Sequence, residues 1–133
     1  MIDYIEHTGI AAKDPAALAQ WYRDVLGMRL LRQTGPSTYF LGYERGACLE
    51  IYAACSDAPQ TADNYVRGVT HLALYVQDFA AAYQALLEKG VQSAAEPVIR
   101  PDLKLALLRD PEGNLFHITA TRESFRNKVR REV

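Results

Sequence analysis

The chain has little cysteine and no long apolar run, and each shortage excludes a class of protein. It contains only two cysteines, Cys48 and Cys55, among 133 residues. Two thiols are too few for a disulfide framework, so a reducing, cytoplasmic compartment is expected. No uninterrupted apolar run of about 18 residues is present to span a membrane. Residues 1–4 lack the basic and apolar regions of a secretion signal.

An excess of charge of either sign is also missing. The formal net charge is −1, although 23% of the residues are charged. Without a broad basic field, nucleic acid is not an expected partner, and neither is a membrane. The length allows one domain with a core of its own.

One module is repeated twice along the chain. A shift of 64 residues places His71 over His7 and Asp78 over Asp14. In both copies a strand-like run from the histidine ends in the aspartate, which is suited to cap a helix. An apolar stripe at helical spacing follows each aspartate and ends at a glycine, Gly27 in the first copy.

Three strands are predicted after each helix, from apolar runs separated by turn signals. They lie near residues 28–33, 37–43 and 47–53 in the first copy, and 91–94, 103–108 and 114–120 in the second. Each copy is therefore predicted to be a βαβββ module, and the fold class is α+β. Each sheet would have one face open, so we expect the two modules to face each other.

The whole chain is expected to form a single domain of two modules. Module 1 covers about residues 1–55, a connector about 56–67, module 2 about 68–121 and a C-terminal tail 122–133. The tail is rich in arginine and is interpreted as a solvated terminus or a short helix.

Four ionisable residues occupy equivalent positions in the two modules. Glu50 and His117 lie on the last strand of each module, and alternation turns them away from the helix. Ionisable groups centred in apolar strands are costly unless they pair or bind something. The repeat therefore predicts two pairs, His7 with Glu50 and His71 with His117. Three imidazoles and one carboxylate suit a divalent metal such as Zn, Fe, Ni or Co.

Five segments carry a resemblance to a known family. They are 5–11 (IEHTGIA), 21–28 (WYRDVLGM), 48–51 (CLEI), 70–73 (THLA) and 110–116 (DPEGNLF). The pattern resembles the vicinal oxygen chelate superfamily, which includes glyoxalase I, extradiol dioxygenases and bleomycin-binding proteins. The resemblance covers about residues 1–121 and implies two modules that form an incomplete, glyoxalase-like barrel.

The resemblance also implies a metal site and a reaction class. The metal ligands would be His7, Glu50, His71 and His117, and the ion would be Zn, Fe, Ni, Co or Mn. His117 departs from the family, which usually carries Glu there, a residue that takes part in proton transfer in glyoxalase I. A substrate with neighbouring oxygens would chelate the metal, and Glu50 is the candidate base. His117 is expected to be a ligand, with acid–base catalysis as the alternative.

Two other functions and one assembly are compatible with the sequence. His7, His71 and Glu50 would suit the Fe(II) site of an extradiol-type dioxygenase. A non-catalytic protein that sequesters a drug, of the bleomycin-resistance type, is the third hypothesis. Because modules with an open sheet face tend to associate symmetrically, we expect a homodimer. The modules would pair either within one chain or across that dimer.

Overall fold

The computed structural model describes residues 1–57 and 63–121 of the chain. The chain divides into two compact units, Met1–Pro59 and Gln60–Val133. The predicted tail, residues 122–133, and part of the predicted connector lie outside the described residues. Within the described ranges, no helix is long and apolar enough to cross a membrane.

The first unit is a helix packed on a four-stranded sheet. Its elements are β1 (His7–Ala12), α1 (Pro15–Asp24), β2 (Arg29–Thr34), β3 (Thr38–Gly42) and β4 (Cys48–Ala53). The strand order is β1-β4-β3-β2, with β1 parallel to β4 and the other neighbours antiparallel. The helix α1 packs against β1, β3 and β4. This is the predicted βαβββ arrangement.

The second unit repeats that topology with a divided edge strand. Its elements are β5 (Leu72–Tyr75), α2 (Phe79–Glu88), β6 (Gln92–Ser93), β7 (Val98–Ile99), β8 (Leu103–Arg109) and β9 (Leu115–Thr121). The order is β5-β9-β8-β6, and β7 also pairs with β8. β7 was not predicted, because two residues are too few to show periodicity. Pro97, which has no N–H to donate to the ladder, lies in the interruption between β6 and β7.

Both helices begin and end as the sequence predicts. The Asp14 carboxylate accepts the backbone N–H three residues further on at 3.1 Å, and Asp78 does the same at 3.0 Å. Such a cap contributes about 1 kcal/mol. After each helix the backbone turns through a glycine with positive φ, +67° at Gly27 and +82° at Gly90. Only glycine adopts this conformation without a steric penalty.

The last strand of each unit contributes buried apolar side chains to the core. In β4, Leu49 and Ile51 are buried, so the alternating Glu50 lies on the opposite face. In β9 burial does not alternate: Leu115 and His117 are buried as well, although Phe116 and Ile118 are the most deeply buried. Each such apolar side chain contributes about 1.5–3 kcal/mol on burial. The α+β fold class is confirmed.

Candidate functional site

In the first unit, two parallel strands bring His7 and Glu50 together. Gly9 on β1 is the register partner of Glu50 on β4, and His7 lies two residues earlier on the same face of β1. The His7 Nε2 and Glu50 Oε2 atoms are 3.1 Å apart. The predicted pair therefore presents an imidazole nitrogen and a carboxylate oxygen to one point, which is the arrangement that two ligands of one ion need.

The other ring nitrogen of His7 has a partner that the sequence analysis did not identify. The Nδ1–H donates to the carboxylate of Glu6, the preceding residue. This hydrogen bond, together with the negative charges of Glu6 and Glu50, raises the pKa of His7. Strand alternation places neighbouring side chains on opposite faces and gave no reason to expect this contact. Residue 6 precedes β1, however, so alternation does not apply to it.

Phe40 and Cys48 lie beside this pair. Phe40 is the register partner of Glu50 on β3. Its ring packs edge to face on the His7 imidazole, with the ring centroids 6.0 Å apart. The Cys48 Sγ lies 3.5 Å from the Glu6 carbonyl oxygen. Burial, followed by the charges of Glu6 and Glu50, raises the pKa of the Cys48 thiol. The thiol therefore stays protonated at neutral pH and is a poor nucleophile.

In the second unit, His71 and His117 stack face to face. His71 directly precedes β5, and Ala73, two residues later, is the register partner of His117 on β9. The two ring centroids are 3.7 Å apart and the planes differ by 4°. The Nδ1 atom of His71 lies 2.8 Å from Oγ1 of Thr70. The second predicted pair is therefore also in contact.

His117 is buried in a way that favours a neutral ring with an available lone pair. His117 keeps 9% of its solvent-accessible surface. Burial, followed by the charge of His71, lowers the pKa of His117 to about 4. Its Nε2 atom is buried and has no hydrogen-bond partner among the described residues. Leaving such an atom unpaired costs about 1–3 kcal/mol, and a bound metal ion is one partner that would remove the cost.

The register shows that the two pairs are equivalent. Glu50 pairs with Gly9 and Phe40, whereas His117 pairs with Ala73 and Leu107 at the repeat-related positions. Within the described parts of the chain, no group of three or more His, Cys, Asp or Glu side chains is gathered to hold a metal. Each unit taken alone therefore offers two donors, and the four-ligand set stays a prediction.

Comparison with known proteins relates the sequence to one superfamily. A family model described as Glyoxalase/Bleomycin resistance protein/Dioxygenase superfamily matches residues 4–118. The lactoylglutathione lyase of Haemophilus influenzae is 34% identical to this chain over 119 residues, covering 82% of this chain and 86% of that protein.

Solved structures with the same fold include an enzyme and a binding protein. The lactoylglutathione lyase from Agrobacterium tumefaciens has a TM-score of 0.68 at 20% identity and covers 90% of this chain and 94% of its own. The antibiotic-binding protein TnmS3 from Streptomyces sp. CB03234 has a TM-score of 0.70 at 22% identity and covers 90% and 97%. At such identities the likeness shows the fold, and the reaction must be argued from the site.

Proposed function

Because this chain belongs to the Glyoxalase/Bleomycin resistance protein/Dioxygenase superfamily, we propose that it is a metal-dependent, glyoxalase-like lyase or isomerase. Its substrate would be a small molecule with two neighbouring oxygens. The identity of 34% to a lactoylglutathione lyase supports this reaction class. One observation carries the proposal. His7 with Glu50 and His71 with His117 occupy equivalent positions in the two units and are in contact. The buried Nε2 atom of His117 has no hydrogen-bond partner in the described chain.

The ion would be held by His7, Glu50, His71 and His117, with one pair from each unit. Three imidazole nitrogens and one carboxylate oxygen fit Zn, Fe, Ni, Co or Mn. When bound, such an ion supplies a Lewis acid that polarises a substrate oxygen. Since its pKa is lowered to about 4, His117 is neutral at pH 7 and has no proton to give up before it binds. This favours His117 as a ligand over His117 as an acid.

Glu50 is the residue that we propose to move the substrate proton. Its carboxylate lies on the face of β4 opposite the buried core and has an imidazole nitrogen 3.1 Å away. Its side chain is one-quarter exposed, so a substrate atom can reach it. To accept a proton from the carbon next to a carbonyl group and return it to the adjacent carbon, Glu50 would have to bind the metal weakly or leave it. The neighbouring Phe40 ring would limit water at this position.

The second candidate function is an extradiol-type dioxygenase. The contact between His7 and Glu50, with His71 from the second unit, would supply the two histidines and one carboxylate that non-haem Fe(II) oxygenases use. This candidate requires O₂, whereas the lyase does not. A non-catalytic binding protein would need neither metal nor O₂.

Activity should be assayed on protein stripped by a chelator and reloaded with one metal at a time. The assay is the formation of lactoylglutathione from glutathione and methylglyoxal, run with and without O₂. The lyase proposal predicts activity that is lost on stripping, restored by at least one ion and indifferent to O₂. Glu50→Gln should reduce kcat about 100-fold or more, since a positioned acid or base contributes about 10²–10⁴-fold.

The matched control for Glu50→Gln is Glu44→Gln, because Glu44 is exposed and lies outside the strands. Equal losses in both variants would contradict a special role for Glu50. An activity that requires O₂ and Fe(II) would favour the dioxygenase. Protein that stays metal-free in every reconstitution would refute the catalytic proposal and leave a binding protein.

A further inference from the structure

Equivalent residues precede the first histidine of each unit. Glu6 and Thr70 are related by the same 64-residue shift that relates His7 and His71. In both units a side-chain oxygen of the preceding residue lies within hydrogen-bond distance of the histidine Nδ1. The contact in the second unit, from Thr70 Oγ1, measures 2.8 Å. Both Nδ1 atoms therefore have a side-chain oxygen as a hydrogen-bond partner, a carboxylate in the first unit and a hydroxyl in the second.

The difference lies in what each side chain can do in a hydrogen bond. An ionised carboxylate only accepts, whereas a hydroxyl accepts or donates. When the Nδ1–H of an imidazole donates to a carboxylate, the lone pair available to a metal is at Nε2. Nε2 is the His7 atom that lies 3.1 Å from Glu50. Glu6 thus selects the form of His7 in which Nδ1 carries the proton. Thr70 can accept from or donate to Nδ1 of His71, so it does not select a form of that ring.

We propose that Glu6 is a positioning residue that presets His7 to bind a divalent metal through Nε2. The inference rests on the proposed metal-dependent function and deepens it. By accepting the Nδ1–H, Glu6 holds the ring in one orientation and increases the basicity of Nε2. Thr70 is its weaker counterpart, because a neutral hydroxyl accepts from an Nδ1–H less strongly than a carboxylate does and can also donate to an Nδ1 without a proton. Glu6 itself is 63% exposed and is not assigned as a ligand.

Zn²⁺ affinity of the metal-free protein, measured by competition with a chromophoric chelator, tests this proposal. Glu6→Ala should weaken Zn²⁺ binding about 10- to 100-fold, which is the usual effect of removing a hydrogen-bond partner of a metal-binding histidine. Glu6→Gln, which keeps a carbonyl acceptor, should recover part of that loss. Thr70→Val should cost less than Glu6→Ala. Glu44→Ala, at another exposed glutamate, is the matched control and should bind as the wild type does.

The imidazole ¹⁵N shifts of the Zn²⁺-loaded protein give a second readout that a general loss of stability would not change. In the wild type, the His7 signals should show a protonated Nδ1 and a metal-bound Nε2. In Glu6→Ala, that pattern should broaden or be partly replaced by Nδ1 ligation. If the wild type binds Zn²⁺ and Glu6→Ala keeps the wild-type affinity and ¹⁵N pattern, the role of Glu6 is refuted while the proposed function stands. Wild-type protein that binds no Zn²⁺ overturns the proposed function and this inference with it.

Discussion

The first unit surrounds its histidine with carboxylates, whereas the second unit stacks two imidazoles on each other. His7 contacts Glu6 and Glu50, and its pKa is raised. His117 lies against His71 and is buried, and its pKa is lowered to about 4. The strand register is the same in both units. The repeat therefore determines where the donors lie, and neighbouring side chains determine their charge.

Because of this difference, the two units would contribute different kinds of ligand to a bound cation. The carboxylates of the first unit would supply negative charge, and the second unit would supply neutral nitrogen donors that need no deprotonation at pH 7. A cation bound by one pair from each unit would receive both contributions.

The largest expected effect comes from mixing chains that are each damaged in a different unit. His7→Ala and His117→Ala should each weaken Zn²⁺ binding more than about 100-fold, beyond the usual effect of losing an outer partner. If the units pair across a homodimer, unfolding and refolding the two variants together should restore one intact site in each mixed dimer. If they pair within one chain, the mixture should bind no better than the variants do separately.

Size-exclusion chromatography with light scattering should accompany that mixing experiment. The homodimer prediction requires twice the mass of the chain in both variants and in their mixture. A monomer throughout would contradict the homodimer and leave pairing within one chain as the only arrangement.

The next largest effect concerns the turn before the last strand, which the two units stabilise differently. In the second unit the buried Asp110 carboxylate accepts the backbone N–H groups of Glu112 and Asn114 and the Asn114 amide, at 2.9–3.0 Å. In the first unit, at the equivalent position, the Tyr43 hydroxyl donates to the Leu26 carbonyl at 2.5 Å. Asp110→Ala should cost about 2–3 kcal/mol and Tyr43→Phe about 1 kcal/mol, because the former removes the acceptor of three part-buried hydrogen bonds and the latter removes the donor of one.

Urea unfolding of the metal-free variants measures both free energies of unfolding. Asp78→Ala, which removes only a helix cap of the same unit, is the control for Asp110→Ala and should cost about 1 kcal/mol. An Asp110→Ala cost no larger than that of Asp78→Ala would contradict the account of the turn.

The smallest predicted effect is a pH dependence of opposite sign in the two units. Folded His117 binds its proton only below about pH 4, whereas the unfolded chain binds it near 6.5. The unfolded state therefore takes up more protons in this interval, and the free energy of unfolding should fall by on the order of 1–2 kcal/mol as pH is lowered through it. His7, whose pKa is raised, stabilises the folded state in acid and loses that contribution as pH rises through its folded pKa.

NMR titration of the three histidines in metal-free protein checks this prediction. His7 should titrate above 6.5 and His117 near 4, a separation of more than about two pH units. The acid-induced fall in stability should be absent in His117→Phe and should persist in His7→Gln. Coincident titrations of His7 and His117 would contradict the difference between the units.

Much of the fold could be predicted because it follows from local rules. The caps at Asp14 and Asp78 and the alternation in β4 depend only on nearby residues, and the structure confirms them. The edge of the second sheet was predicted only in part: the strand expected near residues 91–94 is present as β6, but β7 has two residues, exists through pairing with β8 and was not predicted. Short strands of this kind are determined by their neighbours.

The two side-chain pairs could be predicted, whereas their joint metal site stays a prediction. The 64-residue repeat was enough to identify His7 with Glu50 and His71 with His117, and each pair is in contact. The contact between Glu6 and His7 was missed because it depends on where β1 begins, a boundary that periodicity does not define. The matching positions of Glu6 and Thr70 in the repeat were the available signal.

The stoichiometry of Zn²⁺ binding decides whether the two units share one metal site. Metal-free wild type, His7→Ala and His117→Ala should be titrated with Zn²⁺, with bound metal confirmed by elemental analysis. One shared site predicts one ion per chain in the wild type, and the same ion weakened by either substitution. Two ions per chain, each lost only when the histidine of its own unit is replaced, would contradict a site shared by the two units.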